Sequence, residues 1–185
     1  MPYLHNFPVI TYRIDASNRL TQVNEAWTEF ARGNHGDALL PGDVLGRNLL
    51  DAIANITVRE LYVRMIQLAR SGQTLRFHYR CDAPDRRRTF EMVIRPLEDG
   101  AVEFESTLTH EEPRPSLALL ELGRPRDERL LQICSWCQKV EVDDGRWVPV
   151  EVAVDILRLL EANTFPQLTH GICEPCAAEW TPCNG

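Results

Sequence analysis

Ile10-Thr11-Tyr12-Arg13-Ile14-Asp15-Ala16-Ser17-Asn18-Arg19-Leu20-Thr21-Gln22-Val23-Asn24-Glu25-Ala26-Trp27 changes local structure twice within a short run. Ile10 to Asp15 and Leu20 to Val23 are expected as two short strands joined by the hairpin turn Ala16-Ser17-Asn18-Arg19. Asn24 has the short polar side chain that suits a helix N-cap. Val23, Trp27, Phe30 and Ala31 then fall at helical spacing, with Gly33 as the stop. A loop rich in Gly, Asn, Asp and Pro runs from Gly33 to Gly46.

Working outward, a second helix is predicted from about Asn55-Ile56-Thr57, with Val58, Leu61, Met65 and Leu68 as its buried stripe and Ser71-Gly72 as its end. Three alternating runs follow: Leu75, Phe77, Tyr79 and Cys81; then Phe90, Met92 and Ile94; then Val102, Phe104, Ser106 and Leu108. Each puts its apolar residues on one strand face. The order is two strands, helices, three strands.

The last third has a different chemistry. Cys134-Ser-Trp-Cys137 and Cys173-Glu-Pro-Cys176 are two Cys-x-x-Cys pairs holding four of the six cysteines. Zinc needs four soft donors at tetrahedral corners, and each such turn supplies two, so Cys134, Cys137, Cys173 and Cys176 are the candidate metal ligands. A redox dithiol or a disulfide pair competes with this reading. The doubled motif favours zinc, and the βαβ context of a thioredoxin-like motif is missing. The 35 residues between Cys137 and Cys173 call for something folded to join the two turns. Asp143-Asp144-Gly145 signals a turn, Trp147-Val148-Pro149 follows, and Val152, Ile156, Leu159 and Leu160 mark one helical face, so a hairpin plus helix is expected. His170 is a donor beside the site or a surface residue, and the alternative that it replaces one thiolate stays open.

Composition is that of a soluble globular chain: 185 residues, 44% hydrophobic and 25% charged, enough for one ordinary core or two small ones. No apolar run reaches a membrane-spanning length, and Met1-Pro2-Tyr3-Leu4-His5 lacks signal-peptide regions, so the cytoplasm is the expected location, with cysteines reduced. Cys81 is expected as a small core residue, and Cys183 has no assigned role. From Asp127 onward ten acidic side chains face four Lys/Arg, a net of −6, while the remainder, seventeen against sixteen, is nearly neutral. That sign is wrong for binding phosphates, so no nucleic-acid partner is expected. Arg86-Arg87-Arg88, flanked by Asp82 and Asp85, is expected as a solvated hairpin turn.

The strand-strand-helices-strand-strand-strand order over residues 8 to 110 resembles the PAS fold. Val23-Asn24-Glu25-Ala26-Trp27 looks like the start of the first PAS helix. Leu45-Gly46-Arg47-Asn48-Leu49-Leu50-Asp51 resembles its Gly-x-x-x-x-Asp turn, and Phe77 to Pro84 followed by Arg88 to Met92 its long hairpin. The cysteine segment, with Ile133 to Val140, Asp144-Gly145-Arg146-Trp147 and His170 to Cys176, resembles a small module found after PAS or receiver domains in bacterial signalling proteins. The resemblance implies an α+β protein: a five-stranded antiparallel sheet with helices on one face (residues 1–112), a Leu/Pro-containing connector (113–130), and a zinc-ribbon-like domain containing a helix (131–185). Leu117 to Leu122 of the connector are expected to pack against the PAS sheet or, alternatively, to form an inter-subunit contact in a homodimer.

A PAS-like interior would be walled by Phe30, Leu61, Met65, Phe77, Tyr79, Phe90 and Phe104, which pattern alone also marks as core. No histidine lies between Thr57 and Arg70 to ligate haem, although His35 in the loop stays open, and the flavin-type Asn-Cys-Arg-Phe run is missing. Any ligand is therefore expected to be small and apolar. No phosphate-cradling loop, nucleophile elbow or His-Glu-x-x-His occurs, and four cysteines would leave zinc no open position, so no enzyme is expected. Glu91, Glu103 and Glu105 are expected on a solvent face. The expected function is a sensory or adaptor protein whose zinc module contacts a protein partner. The alternatives are a thiol-based redox or metal sensor and, disfavoured by charge, a zinc-ribbon transcription factor.

Overall fold

The computed structural model describes residues 8–34, 36–142, 145–161 and 163–179. His35, the Asp143-Asp144 part of the expected turn, and Cys183 lie outside the described residues. The chain forms two compact units: Met1–His78 with Thr89–His110, and Tyr79–Arg88 with Glu111–Gly185. A cut at residue 112, the boundary expected from sequence, would separate the tip Tyr79–Arg88 from the unit to which it belongs.

The first unit contains β1 (Val9–Ile14), β2 (Leu20–Val23), α1 (Glu25–Gly33), α2 (Pro41–Val44) and α3 (Ile56–Arg70), followed by the strands β3 (Leu75–Arg80), β4 (Arg86–Pro96) and β5 (Val102–Pro113). Their sheet order is β2-β1-β5-β4-β3. The sheet is antiparallel. The expected hairpin turn holds because the Asp15 carboxylate accepts the amides of Ser17 (2.8 Å) and Arg19 (2.9 Å) while Asn18 takes a left-handed φ of 62°, a conformation that asparagine tolerates well. The Gly33–Gly46 loop contains α2 and a short 3₁₀ turn, Asp37–Leu39.

Asn24 decides where β2 stops and α1 starts. Its Oδ1 accepts the Trp27 amide at 3.0 Å, capping the helix, and the Thr11 amide at 3.1 Å, while its Nδ2 donates to the Val9 carbonyl at 2.7 Å. One side chain thus satisfies a helix donor and pins β1. Asn55 repeats the capping device for α3, accepting from the Val58 amide at 3.1 Å. Asn24→Ala is expected to cost about 1–2 kcal/mol, the upper range for a lost N-cap, because two strand bonds go with it. Urea unfolding checks this, and a loss below about 0.5 kcal/mol would contradict the shared role.

One sheet face is apolar and the other charged. Ile10, Tyr12 and Ile14 of β1, Val102, Phe104 and Ser106 of β5, and Phe90, Met92 and Ile94 of β4 are buried, together with Met65, Ile66 and Ala69 of α3. Tyr12 and Phe104 sit opposite each other in register, their rings stacked at 4.6 Å. Trp27 of α1 meets Tyr12 edge-on at 5.2 Å, so α1 closes over this face. On the other face the expected carboxylates are paired with cross-strand arginines: Arg13 with Glu103 at 2.6 Å, Arg76 with Glu91, and Arg95 with Glu105. Strand β3 ends at Arg80, so Cys81 is a half-buried residue just beyond it and not a member of the strand face.

The second unit contains β6 (Arg126–Cys134), β7 (Val140–Glu141), β8 (Trp147–Val148), α4 (Val150–Ile156), β9 (Phe165–Gly171) and α5 (Glu174–Ala178). Its sheet order is β8-β7-β6-β9, with β6 antiparallel to β7 and parallel to β9. The core gathers Leu119, Leu131, Ile133, Val140, Val142, Val150, Ala153, Val154, Leu159 and Phe165. Two expectations are corrected here. Leu119 is fully buried in this core, with Leu117, Ala118 and Leu120 packed around it, so these connector residues pack in the second unit and not on the PAS sheet, while Leu122 is 70% exposed. The hairpin plus helix is present, but its buried phase is Val150, Ala153 and Val154, whereas Val152, Ile156 and Leu160 are exposed. The helix breaks at Leu157 and Arg158 turns to φ 48°, so Leu159 and Leu160 do not continue its face.

Candidate metal centre

Parallel pairing explains why the two cysteine turns meet. In parallel strands the C-terminal ends lie side by side, and the return requires a long crossover. Cys134, the last residue of β6, is in register with Gly171, the last of β9. The residues that pass through β7, β8 and α4 are that crossover, the physical reason for the long insertion between the pairs. The Cys134–Cys137 turn follows β6, with the Cys134 amide donating to Lys139 O at 2.7 Å, the Gln138 amide to Cys134 O at 3.0 Å, and Gln138 at φ 59°. The Ser135 amide reaches Gly171 O at 2.8 Å, stitching one turn to the other strand. A Cβ at Gly171 would lie 2.5 Å from the Gln132 side chain, which would have to move aside. Cys173 then caps α5, its carbonyl accepting the Ala177 amide at 2.9 Å, with Pro175 in the first turn, where no amide is needed.

The Sγ atoms of Cys134, Cys137, Cys173 and Cys176 all lie within 4.8 Å of one another. Cys137 and Cys173 approach to 3.6 Å, far beyond a disulfide bond of about 2.05 Å. Four sulfurs each about 2.3 Å from a central tetrahedral ion would stand about 3.8 Å apart, so the cluster is the size that a metal ion needs. Cys134 and Cys173 are buried, and Cys137 and Cys176 half-buried.

The electrostatics agree with a cation site. The Cys137 thiol donates to Cys134, and this, helped by the backbone amides of Cys137, Cys173 and Trp136, lowers the Cys134 thiol to about 4 against the opposing effect of burial. Cys137, as the donor, is pushed well up. Burial, then its hydrogen bond to Cys173 and the charge on Cys134, push Cys176 up to about 12. Sulfurs this close resist holding several negative charges together; a divalent ion would remove that repulsion. His170 is exposed on β9 and stands outside the sulfur cluster.

Seven residues are expected from the sequence to wall a PAS interior. Met65, Phe90 and Phe104 are buried, Phe30, Leu61 and Phe77 are half-buried, and Tyr79 belongs to the second compact unit. Phe30 meets Phe90 edge-on at 5.8 Å.

The basic triplet lies at the hairpin as expected, with the Arg86 and Arg87 side chains 53% and 43% exposed, but its members are also paired. Arg86 pairs with Glu111 at 2.7 Å and Arg87 with Glu112 at 3.0 Å and Glu151 at 2.8 Å, while Arg88 donates to Cys81 O at 2.7 Å. The Asp82 side chain is fully buried against Arg114, itself only 4% exposed, at 3.1 Å. These arginines are partners in a network as well as residues of a partly solvated turn. Their acidic partners come from distant segments, and no local pattern announces them.

No curated protein matches the chain. Among solved structures, a domain of an HTR-like protein from Haloarcula marismortui is 14% identical, covers 56% of this chain and 99% of that chain, and superposes with a TM-score of 0.38. A sensory box sensor histidine kinase from Vibrio cholerae is 11% identical, with 55% and 82% covered and a TM-score of 0.37. The family model for the PAS fold matches residues 4–111, more than half of the chain. The chain therefore belongs to the PAS fold family.

Proposed function

We propose that this protein is a non-enzymatic sensory or adaptor protein of bacterial signalling type, with the PAS domain as its input and the cysteine unit as a zinc-stabilised platform for a protein partner. The observation that carries the reading is the convergence of four cysteine Sγ atoms within 4.8 Å of one another. Residues 4–111 belong to a family that suits the input role. An all-sulfur donor set suits zinc, and four thiolates close its coordination shell, which fits a structural role and not catalysis. Among the described residues, no helix is long and apolar enough to cross a membrane.

A protein partner is supported by the apolar residues that α4 and the turn after it leave exposed: Val152, Ile156 and Leu160 at 43%, 45% and 74%. The net charge of −6 from Asp127 onward argues against a nucleic acid. The ring contacts of Tyr12 with Phe104 and of Phe30 with Phe90 favour a packed PAS interior over a small apolar ligand.

A second reading, thiol-based redox sensing, is favoured by the lowered Cys134 thiol, since a thiolate is the oxidisable form. Its burial at 0% exposure argues the other way. Zinc content measured before and after mild peroxide separates the two. The structural reading expects about one zinc per chain under both conditions. Release of the metal together with two new disulfides would replace it with the redox reading.

A further inference from the structure

The tip of the β3–β4 hairpin, Tyr79–Arg88, lies in the same compact unit as the four cysteines, while the strands that lead to it are rooted in the PAS sheet. The centre of this tip is the fully buried Asp82. Its carboxylate accepts from the Arg80 guanidinium, from the Arg88 amide at 3.2 Å and from Arg114 at 3.1 Å. Arg114 also donates to Ala83 O at 2.7 Å, Pro84 O at 3.2 Å and Glu151 at 3.1 Å, and its own amide reaches Asp85 O at 2.9 Å. A buried ion pair persists only when its remaining polar atoms are satisfied, and here backbone carbonyls, an amide and a second carboxylate satisfy them.

Two residues before Asp82, the Arg80 amide donates to the Trp136 carbonyl at 2.7 Å. Trp136 lies between Cys134 and Cys137, is itself buried, and its amide is one of those hydrogen-bonded to the Cys134 sulfur. The link from Arg114 to the candidate ligands is therefore continuous: Arg114, Asp82, Arg80, Trp136, Cys134. Partners of this kind fix the orientation of metal ligands, and their loss commonly lowers metal affinity about 10–100-fold.

We infer that the hairpin tip is a support of the metal centre, with Asp82 and Arg114 as positioning residues that hold the Cys134–Cys137 turn through the Arg80 amide. This rests on the reading that the four cysteines hold a metal. Linkage makes the effect reciprocal: whatever holds the tip tightens the metal, and the metal holds the tip.

The test uses the whole zinc-loaded chain of 185 residues. Transfer of metal to a chromophoric chelator is followed for the wild type, for Asp82→Asn, and for Arg13→Gln as a control that removes a surface ion pair from the other unit. Asp82→Asn is expected to release zinc about 10-fold faster, with the control unchanged. In parallel, hydrogen exchange over residues 80–88 is compared in the wild type with and without zinc, and removal is expected to increase it while residues 56–70 stay protected. Equal release from Asp82→Asn and wild type would overturn the inference. If Asp82→Asn does not fold, the wild-type exchange decides alone, and equal exchange at 80–88 in both states would overturn it. A chain that binds no metal would instead overturn the metal reading beneath it.

Discussion

Cys173→Ser is expected to unfold the cysteine unit while leaving the PAS sheet folded. Cys173 is 1% exposed, its sulfur lies 3.6 Å from that of Cys137, and its amide donates to the Cys134 sulfur at 3.5 Å. Serine is a poor zinc ligand at neutral pH and would leave three sulfurs crowded without a cation. A closed thiolate site supplies about 10–16 kcal/mol of apparent binding energy, comparable to the whole stability of a domain at about 5–15 kcal/mol. The second unit has a small core built from a four-stranded sheet and the seven-residue helix α4, so it has little to set against such a loss. Limited proteolysis with mass spectrometry would show this as cleavage beyond residue 111 with residues 8–78 intact. A variant that resists proteolysis as the wild type does would mean that the unit stands on its hydrophobic core.

Phe104→Ala is expected to give the largest loss in the PAS unit, about 3–5 kcal/mol for a fully buried aromatic ring. Phe104 is 0% exposed, stacks on Tyr12 at 4.6 Å, and through Tyr12 supports Trp27 of α1. The ring lies far along the chain from the cysteines, so zinc content is expected to stay unchanged while the denaturant midpoint of the PAS unit falls. A loss below about 1 kcal/mol would show that neighbouring side chains or a ligand can fill the space. Loss of zinc in this variant would contradict the separate cores.

The PAS unit was legible because its signals are local. Alternating residues in β1, β4 and β5 marked one buried face, and Asn24 and Asn55 announced their helices by the chemistry of capping. The cysteine pairs were legible as ligands, yet the reason that they meet was not. It depends on β6 pairing in parallel with β9, and both strands disguise themselves: β6 opens with Arg126-Asp127-Glu128-Arg129, and β9 carries Pro166, Gln167 and His170. Parallel pairing between distant segments leaves no periodic mark on either. The phase of α4 was misjudged for a related reason. Apolar residues occur on both of its sides, and only the packing of Val150, Ala153 and Val154 on the sheet selects between them. The pairing of Asp82 with Arg114 joins segments that no local pattern relates.

Four cysteines acting as one metal site are the centre of the proposed function. The most direct measurement is metal content by elemental analysis of protein purified without added metal, combined with the number of thiols that react before and after chelation. About one zinc per chain is expected, with four thiols that become reactive only when the metal is removed. Less than about half an equivalent of metal, with Cys134, Cys137, Cys173 and Cys176 all reactive from the start, would contradict it.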